Sequence, residues 1–153
     1  MANTYHKMYI QSVFAVKYRE AMITKELKSP LMAVIGNLIT ETGCKTILVN
    51  GTEDHVHCFF GLKPSRDVSK VMQIAKAKSS KWINENGILQ RRFEWQEGFG
   101  AFSYSHSQIN AVFNYIKNQE RHHNKQTFLD EYMRMLQKFE VDFDTDYLFD
   151  EMI

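Results

Sequence analysis

EDHVHCFF, residues 53–60, places two histidines one residue apart inside an otherwise apolar run. Side chains alternate faces along a strand. His55 and His57 therefore share one face, roughly 6.5 to 7 Å apart, while Val56, Cys58 and Phe60 take the other. Two imidazoles on one face can converge on one ion, or they can be ordinary polar residues on a solvated sheet. The preceding KTILVNG (45–51) reads as a partner strand, with a tight turn near Asn50, Gly51 and Thr52. The two form a hairpin that sets the histidines on an inner strand.

Outward from this hairpin, YIQSVFAVKYR (9–19) has the β-branched and aromatic content of a first strand. A helix is expected across 24–42, stopped by Gly43; Pro30 either opens it behind Ser29 or lies in the early turns of a helix beginning after Thr24. After Pro64, apolar or small residues at Val68, Val71, Met72, Ala75, Ser79, Trp82 and Ile83 repeat with helical spacing, and Gly87 ends that helix. FEWQEGFGAFSYS predicts two short strands around Gly98 and Gly100. Ser105 and Gln108 then announce a helix by a capping-box pattern. A last helix is expected over 125–138. The order βαββαβ(β)α predicts one α+β domain over 1–153, a ferredoxin-like antiparallel sheet with appended C-terminal helices.

The chain has 153 residues, 44% of them hydrophobic, enough for one real core. No run is long and apolar enough to span a membrane, and the N-terminus lacks the apolar core of a signal peptide, so a cytoplasmic protein is expected. Cys44 and Cys58 are the only cysteines, and a buried thiol is the expectation for Cys58. The net charge of +1 hides an asymmetry. Residues 63–92 carry eight basic side chains, including Lys70, Lys81, Arg91 and Arg92, against two acidic ones. Residues 130–153 carry eight acids against Arg134 and Lys138 alone. The basic middle is either a solvated helix face or a surface for phosphate backbones.

In SHSQINAVFNYIKNQE, Ile109, Val112, Phe113 and Ile116 form an apolar stripe. Tyr115 and Gln119 lie together on its flank, four residues apart on neighbouring turns. Tyr132 has no glutamine four residues on; Tyr104 has Gln108 there, but is expected at the end of a strand ahead of this helix. Trp82 and Trp95 are aromatic surfaces for core packing or for unpaired bases. His122 and His123 read as exposed histidines favoured near a helix C-terminus.

Taken together, His-x-His on an inner strand, a basic middle and Tyr-x-x-x-Gln on a late helix resemble the single-tyrosine HUH transposases of small bacterial insertion sequences. REP-associated tyrosine transposases are among them. The resemblance runs through NGTEDHVHCFFGLKPS, SSKWINE, FEWQEGFGAFSYSHSQI, YIKNQERHH and the closing DYLFD. It implies an HUH-type nuclease and strand transferase acting on single-stranded DNA with hairpin ends, as a homodimer in which the Tyr115 helix reaches the partner's histidines. It implies Tyr115 as nucleophile and His55, His57 and Gln119 as ligands of Mg2+ or Mn2+. A phosphotyrosine intermediate preserves the bond energy for rejoining, so no nucleotide cofactor is expected. Asp54, next to His55, is expected on the opposite strand face. Two rivals are a domesticated or non-catalytic hairpin-binding relative and a zinc-dependent hydrolase. The latter lacks an obvious third ligand near the histidines.

Overall fold

The structure, a computed structural model, describes residues 4–123 and 127–143, without the side chains of His122 and His123. The DYLFD motif lies outside the described residues. The chain runs β1 (Tyr9–Ala15), α1 (Lys25–Glu41), β2 (Lys45–Gly51), β3 (His55–Gly61), α2 (Val68–Glu85), β4 (Gly100–Tyr104), α3 (Ile109–Lys117), α4 (Gln119–His123) and α5 (Phe128–Lys138). The strands make one antiparallel sheet in the order β2-β3-β1-β4, with β3 and β1 inside. That is the ferredoxin-like βαββαβ arrangement, with α3, α4 and α5 appended.

Local chemistry accounts for most boundaries. Thr24 caps α1 by accepting from Leu27 N at 3.2 Å, so Pro30 lies inside the helix and does not open it. Asp67 caps α2 by accepting from Lys70 N at 2.7 Å, and Gly87 beyond its end takes φ +58°. The Ser105 and Gln108 capping box forms, with Ser105 N donating to Gln108 Oε1 at 2.9 Å. The hairpin turn falls at Thr52–Asp54, because Gly51 still belongs to β2 and pairs with Val56. A Cβ at Gly51 would lie 2.1 Å from the His55 carbonyl oxygen, so only glycine permits this close approach.

Three expectations need correction. The first strand stops at Ala15 and a single 3-10 turn follows over Lys17–Arg19, where Tyr18 and Arg19 adopt φ of 60° and 54°. The first of the two strands expected around Gly98 is a lone bridge between Val16 and Trp95. The helix carrying Tyr115 breaks at Asn118, so Gln119 opens a separate short helix.

The sheet has two unlike faces. Phe14, Val16, Val56, Cys58 and Phe60 are fully buried beneath α1 and α2 in the main apolar core. Trp95 belongs to it, edge-on to Phe14 and Phe93 and donating from Nε1 to Ser79 Oγ at 2.9 Å, while Trp82 packs against it. The other face carries Gln11, Val13, Ala15, His55 and His57 and is covered by α3, α4 and α5. Cys44 and Cys58 are free and buried. Among the described residues no helix is long and apolar enough to cross a membrane.

Candidate active site and metal centre

β3 delivers the histidine pair as its alternation requires. Both rings are buried, their centroids 5.1 Å apart. Their Nδ1 atoms are held from behind. His55 Nδ1 lies 2.7 Å from Asp54 Oδ1 and 2.9 Å from Thr52 Oγ1; His57 Nδ1 lies 2.7 Å from Gln11 Oε1. Asp54 precedes the first residue of β3, so strand alternation does not govern it. The expectation that it faces away is corrected: it turns back onto its neighbour. Holding Nδ1–H against an acceptor fixes the tautomer and leaves Nε2 as the ligand atom, the arrangement found around protein metal sites.

The Nε2 atoms point at a residue the sequence reading missed. Glu131, on α5, is buried, with Oε1 3.1 Å from His57 Nε2 and 3.4 Å from His55 Nε2. His55, His57 and Glu131 each offer one ligand atom within 4.8 Å of the others. Gln119, also fully buried, places Oε1 3.1 Å from His55 Nε2 and donates from Nε2 to Glu131 Oε2 at 3.2 Å. Glu131 occupies the apolar stripe of α5, among buried Phe128, Tyr132, Met135 and Leu136. A carboxylate at a stripe position was the signal available in the sequence, since such a group is rarely buried without a partner.

Tyr115 joins the same carboxylate, its hydroxyl donating to Glu131 Oε2. Its ring stands edge-on to His57, centroids 6.1 Å apart. One chain thus assembles tyrosine and histidines without a partner subunit. The break after α3 is anchored by Asn50, opposite His57 in the sheet, whose Nδ2 donates to the Ile116 and Lys117 carbonyls at 2.8 and 3.2 Å. Those carbonyls belong to the helix end, where intrahelical partners run out. α5 is seated by Phe128, stacked on His55 at 4.2 Å, and by Tyr132, which lies over Gly100. A Cβ there would sit 2.5 Å from the Tyr132 ring.

The protonation pattern follows from this crowding. Burial pulls His55 down, but hydrogen bonds to Asp54 and Glu131 outweigh it and raise its pKa to about 9. Burial keeps His57 below its ordinary value despite Glu131. Burial alone would raise Glu131, yet its hydrogen bonds to the two histidines hold it well below the carboxylate range. Tyr115 is raised by burial, and further by the charge and hydrogen bond of Glu131. Neutral His57 carries one N–H for two acceptors, Gln11 Oε1 and Glu131 Oε1, and His55 Nε2 faces oxygens of Gln119 and Glu131. Acceptors gathered this closely require a proton or a cation between them. The donor set therefore fits a divalent ion, and the missing third ligand that counted against a zinc site is supplied by Glu131.

The structure does not bring Lys70, Lys81, Arg91 or Arg92 to this cluster. Lys70 and Lys81 lie exposed on α2, and Lys81 faces Glu85 at 3.6 Å. Arg91 is paired with Glu20, and Arg92 with Glu94 at 3.3 Å. Tyr104 accepts from Gln11 Nε2 at 2.8 Å, and Tyr132 is buried in the α5 packing.

Comparison with known proteins bears on the fold and the family. Two solved structures share the fold. One, a Deinococcus radiodurans R1 protein assigned as a transposase, aligns with TM-score 0.63 at 18% identity, over 78% of this chain and 95% of that one. The other, a REP-associated tyrosine transposase bound to a REP hairpin, aligns with TM-score 0.57 at 19% identity, over 100% and 99%. A search of curated proteins finds no match. Residues 4–119 match the family model described as "Transposase IS200 like". Fold and family match together define a DNA-processing enzyme of the transposase class. Within that class, the chain belongs to the IS200-like transposase family. The matched stretch ends at Gln119, so Glu131 and all of α5 lie beyond it.

Proposed function

We propose that this protein cleaves and rejoins single-stranded DNA with Tyr115 as nucleophile, beside a Mg2+ or Mn2+ ion held by His55, His57, Glu131 and Gln119. The observation that carries this reading is the meeting of the Tyr115 hydroxyl and both histidine Nε2 atoms on one buried carboxylate. The phenol oxygen forms a bond to phosphorus and the bond from phosphorus to the 3′-oxygen breaks. The products are a 5′-phosphotyrosine and a 3′-hydroxyl, with no nucleotide cofactor consumed. Glu131 Oε2 orients the phenol and stands where its proton goes; that proton is then available to the departing 3′-oxygen. When bound, the ion would polarise the phosphate oxygens and stabilise charge on the leaving group. Asp54 and Gln11 keep the two imidazoles aimed.

The REP hairpin on the structural relative, together with the family, supports hairpin-ended single strands as substrate, in the cytoplasm. Lys70, Lys81, Arg91 and Arg92 are the proposed contacts to the hairpin backbone. A homodimer rests on the family resemblance. With Tyr115 and His57 assembled in one chain, mixing Tyr115→Phe with His57→Ala chains should leave cleavage lost. Restored cleavage in mixed dimers would establish the crossed arrangement instead.

The test uses a single strand carrying the element's own ends with Mn2+ or Mg2+. A covalent adduct mapping to Tyr115 by mass spectrometry is expected, and Tyr115→Phe should abolish it. An adduct that survives this change, or maps to Tyr104 or Tyr132, sinks the assignment, as does full cleavage in excess chelator. The His-His-Glu set favours one second reading, a zinc hydrolase. Zn2+-dependent cleavage with no adduct would select it.

A further inference from the structure

Beside Tyr115 lies an open cavity of about 390 Å³ that the catalytic reading leaves unused. Its size falls at the small end of the roughly 300–1,000 Å³ typical of small-ligand sites. Tyr115 and Glu131 form one side of it, so whatever occupies the cavity lies against the attacking hydroxyl. Two half-buried rings, Tyr104 and Phe139, line it, packed edge-to-face at 5.5 Å. Arg134 and Lys138 also line it.

Those two cations are the only basic residues of the strongly acidic stretch 130–153, and both are on this cavity. Glu131, Arg134 and Lys138 fall at i, i+3 and i+7 along α5, so one helix face presents the carboxylate first and the cations farther along. Neither cation appears in an ion pair among the described residues. Half-buried aromatic rings interleaved with basic side chains form the stacking platform and phosphate clamp that unpaired nucleic acid requires.

We infer that α5 builds a nucleotide subsite here, in which Phe139 and Tyr104 pack against one unpaired base next to the scissile phosphate while Arg134 and Lys138 hold its backbone. The subsite's purpose rests on Tyr115 as nucleophile, though binding can be measured without cleavage. No hairpin is required, because the subsite takes an unpaired nucleotide.

The full chain is titrated with fluorescent hexathymidylate, in chelator so that no chemistry occurs, across a salt series. Arg134→Gln with Lys138→Gln should weaken binding about tenfold and reduce the salt slope by about 1.4, since each phosphate neutralised on a single strand accounts for roughly 0.7. Both side chains are exposed, so the double variant should melt like wild type. Unchanged affinity and slope in a folded double variant overturn the subsite, and so does failure of wild type to bind the probe. Phe139→Leu keeps an apolar side chain but removes the ring, and binding about fivefold weaker is expected. As a readout independent of that variant's folding, photo-crosslinking of 5-iodouridine-substituted hexamer to wild type should map to Phe139 or Tyr104. Crosslinks confined to other residues overturn the proposal. If the adduct experiment fails while these results hold, the catalytic reading falls and the subsite stands.

Discussion

The two faces of the sheet share strands but not chemistry. Beneath α1 and α2, Phe14, Val56 and Phe60 belong to a largely apolar core that includes the thiols Cys44 and Cys58, with Lys76 Nζ over the Phe14 ring. On the face beneath α3, α4 and α5, the same strands help bury two histidines, Gln11, Gln119 and the Glu131 carboxylate. The first face supplies hydrophobic stabilisation; the second spends part of it to hold polar groups in fixed positions. Alternation along β3 makes this possible, since each residue that anchors the core is followed by one available for the site.

The comparison predicts that fold and activity separate by face. The largest effect is expected from His57→Ala, which should reduce adduct formation to background and Mn2+ affinity by at least about 100-fold, while the chain remains folded. Phe60→Ala, on the opposite face three residues away, should cost about 3–5 kcal/mol in urea unfolding. It should leave the remaining folded fraction able to bind metal. Equal loss of folding in both variants would break the distinction.

Gly100→Ala tests whether α5 belongs to the site. The new Cβ would drive Tyr132 outward, so Mn2+ affinity should fall about tenfold through displacement of Glu131. Isothermal titration of the folded variant reads this directly; unchanged affinity would remove Glu131 from the ligand set. Gln119→Ala should have a smaller effect, because three ligands remain.

The pH dependence has opposite signs with and without metal. A proton on His55 competes with the ion, so metal affinity should climb between pH 6.5 and about 9. Without metal, the raised His55 contributes stability that is complete below pH 6.5 and lost as pH rises through about 9. The depressed Glu131 contributes stability present above pH 4.5 and lost as pH falls toward its lower folded value. The depressed His57 removes stability as pH falls below 6.5, so urea melts in chelator should peak near pH 6.5, and a flat profile would refute the coupling. The smallest effect is expected from Lys70→Gln with Lys81→Gln on the α2 face: a shallower salt dependence of hairpin binding, by about 1 to 2 in slope. An unchanged slope would return those lysines to a merely solvated surface.

Local sequence determined the hairpin, the face shared by His55 and His57, the capped starts of α1 and α2, and the proximity of Tyr115 to Gln119. Each depends on a repeat or on a cap within a few residues. Even there, the rule failed where its premise did: Asp54 sits in the turn, not the strand, and Asn118 interrupts the helix that periodicity would have continued. Glu131 is separated from His57 by 74 residues, and only packing of α5 across the sheet joins them. In the sequence it is one acid among eight in an acidic stretch. The tertiary structure decided that Glu131 is buried, because Phe128 on His55 and Tyr132 over Gly100 fix the one helix face that must turn inward.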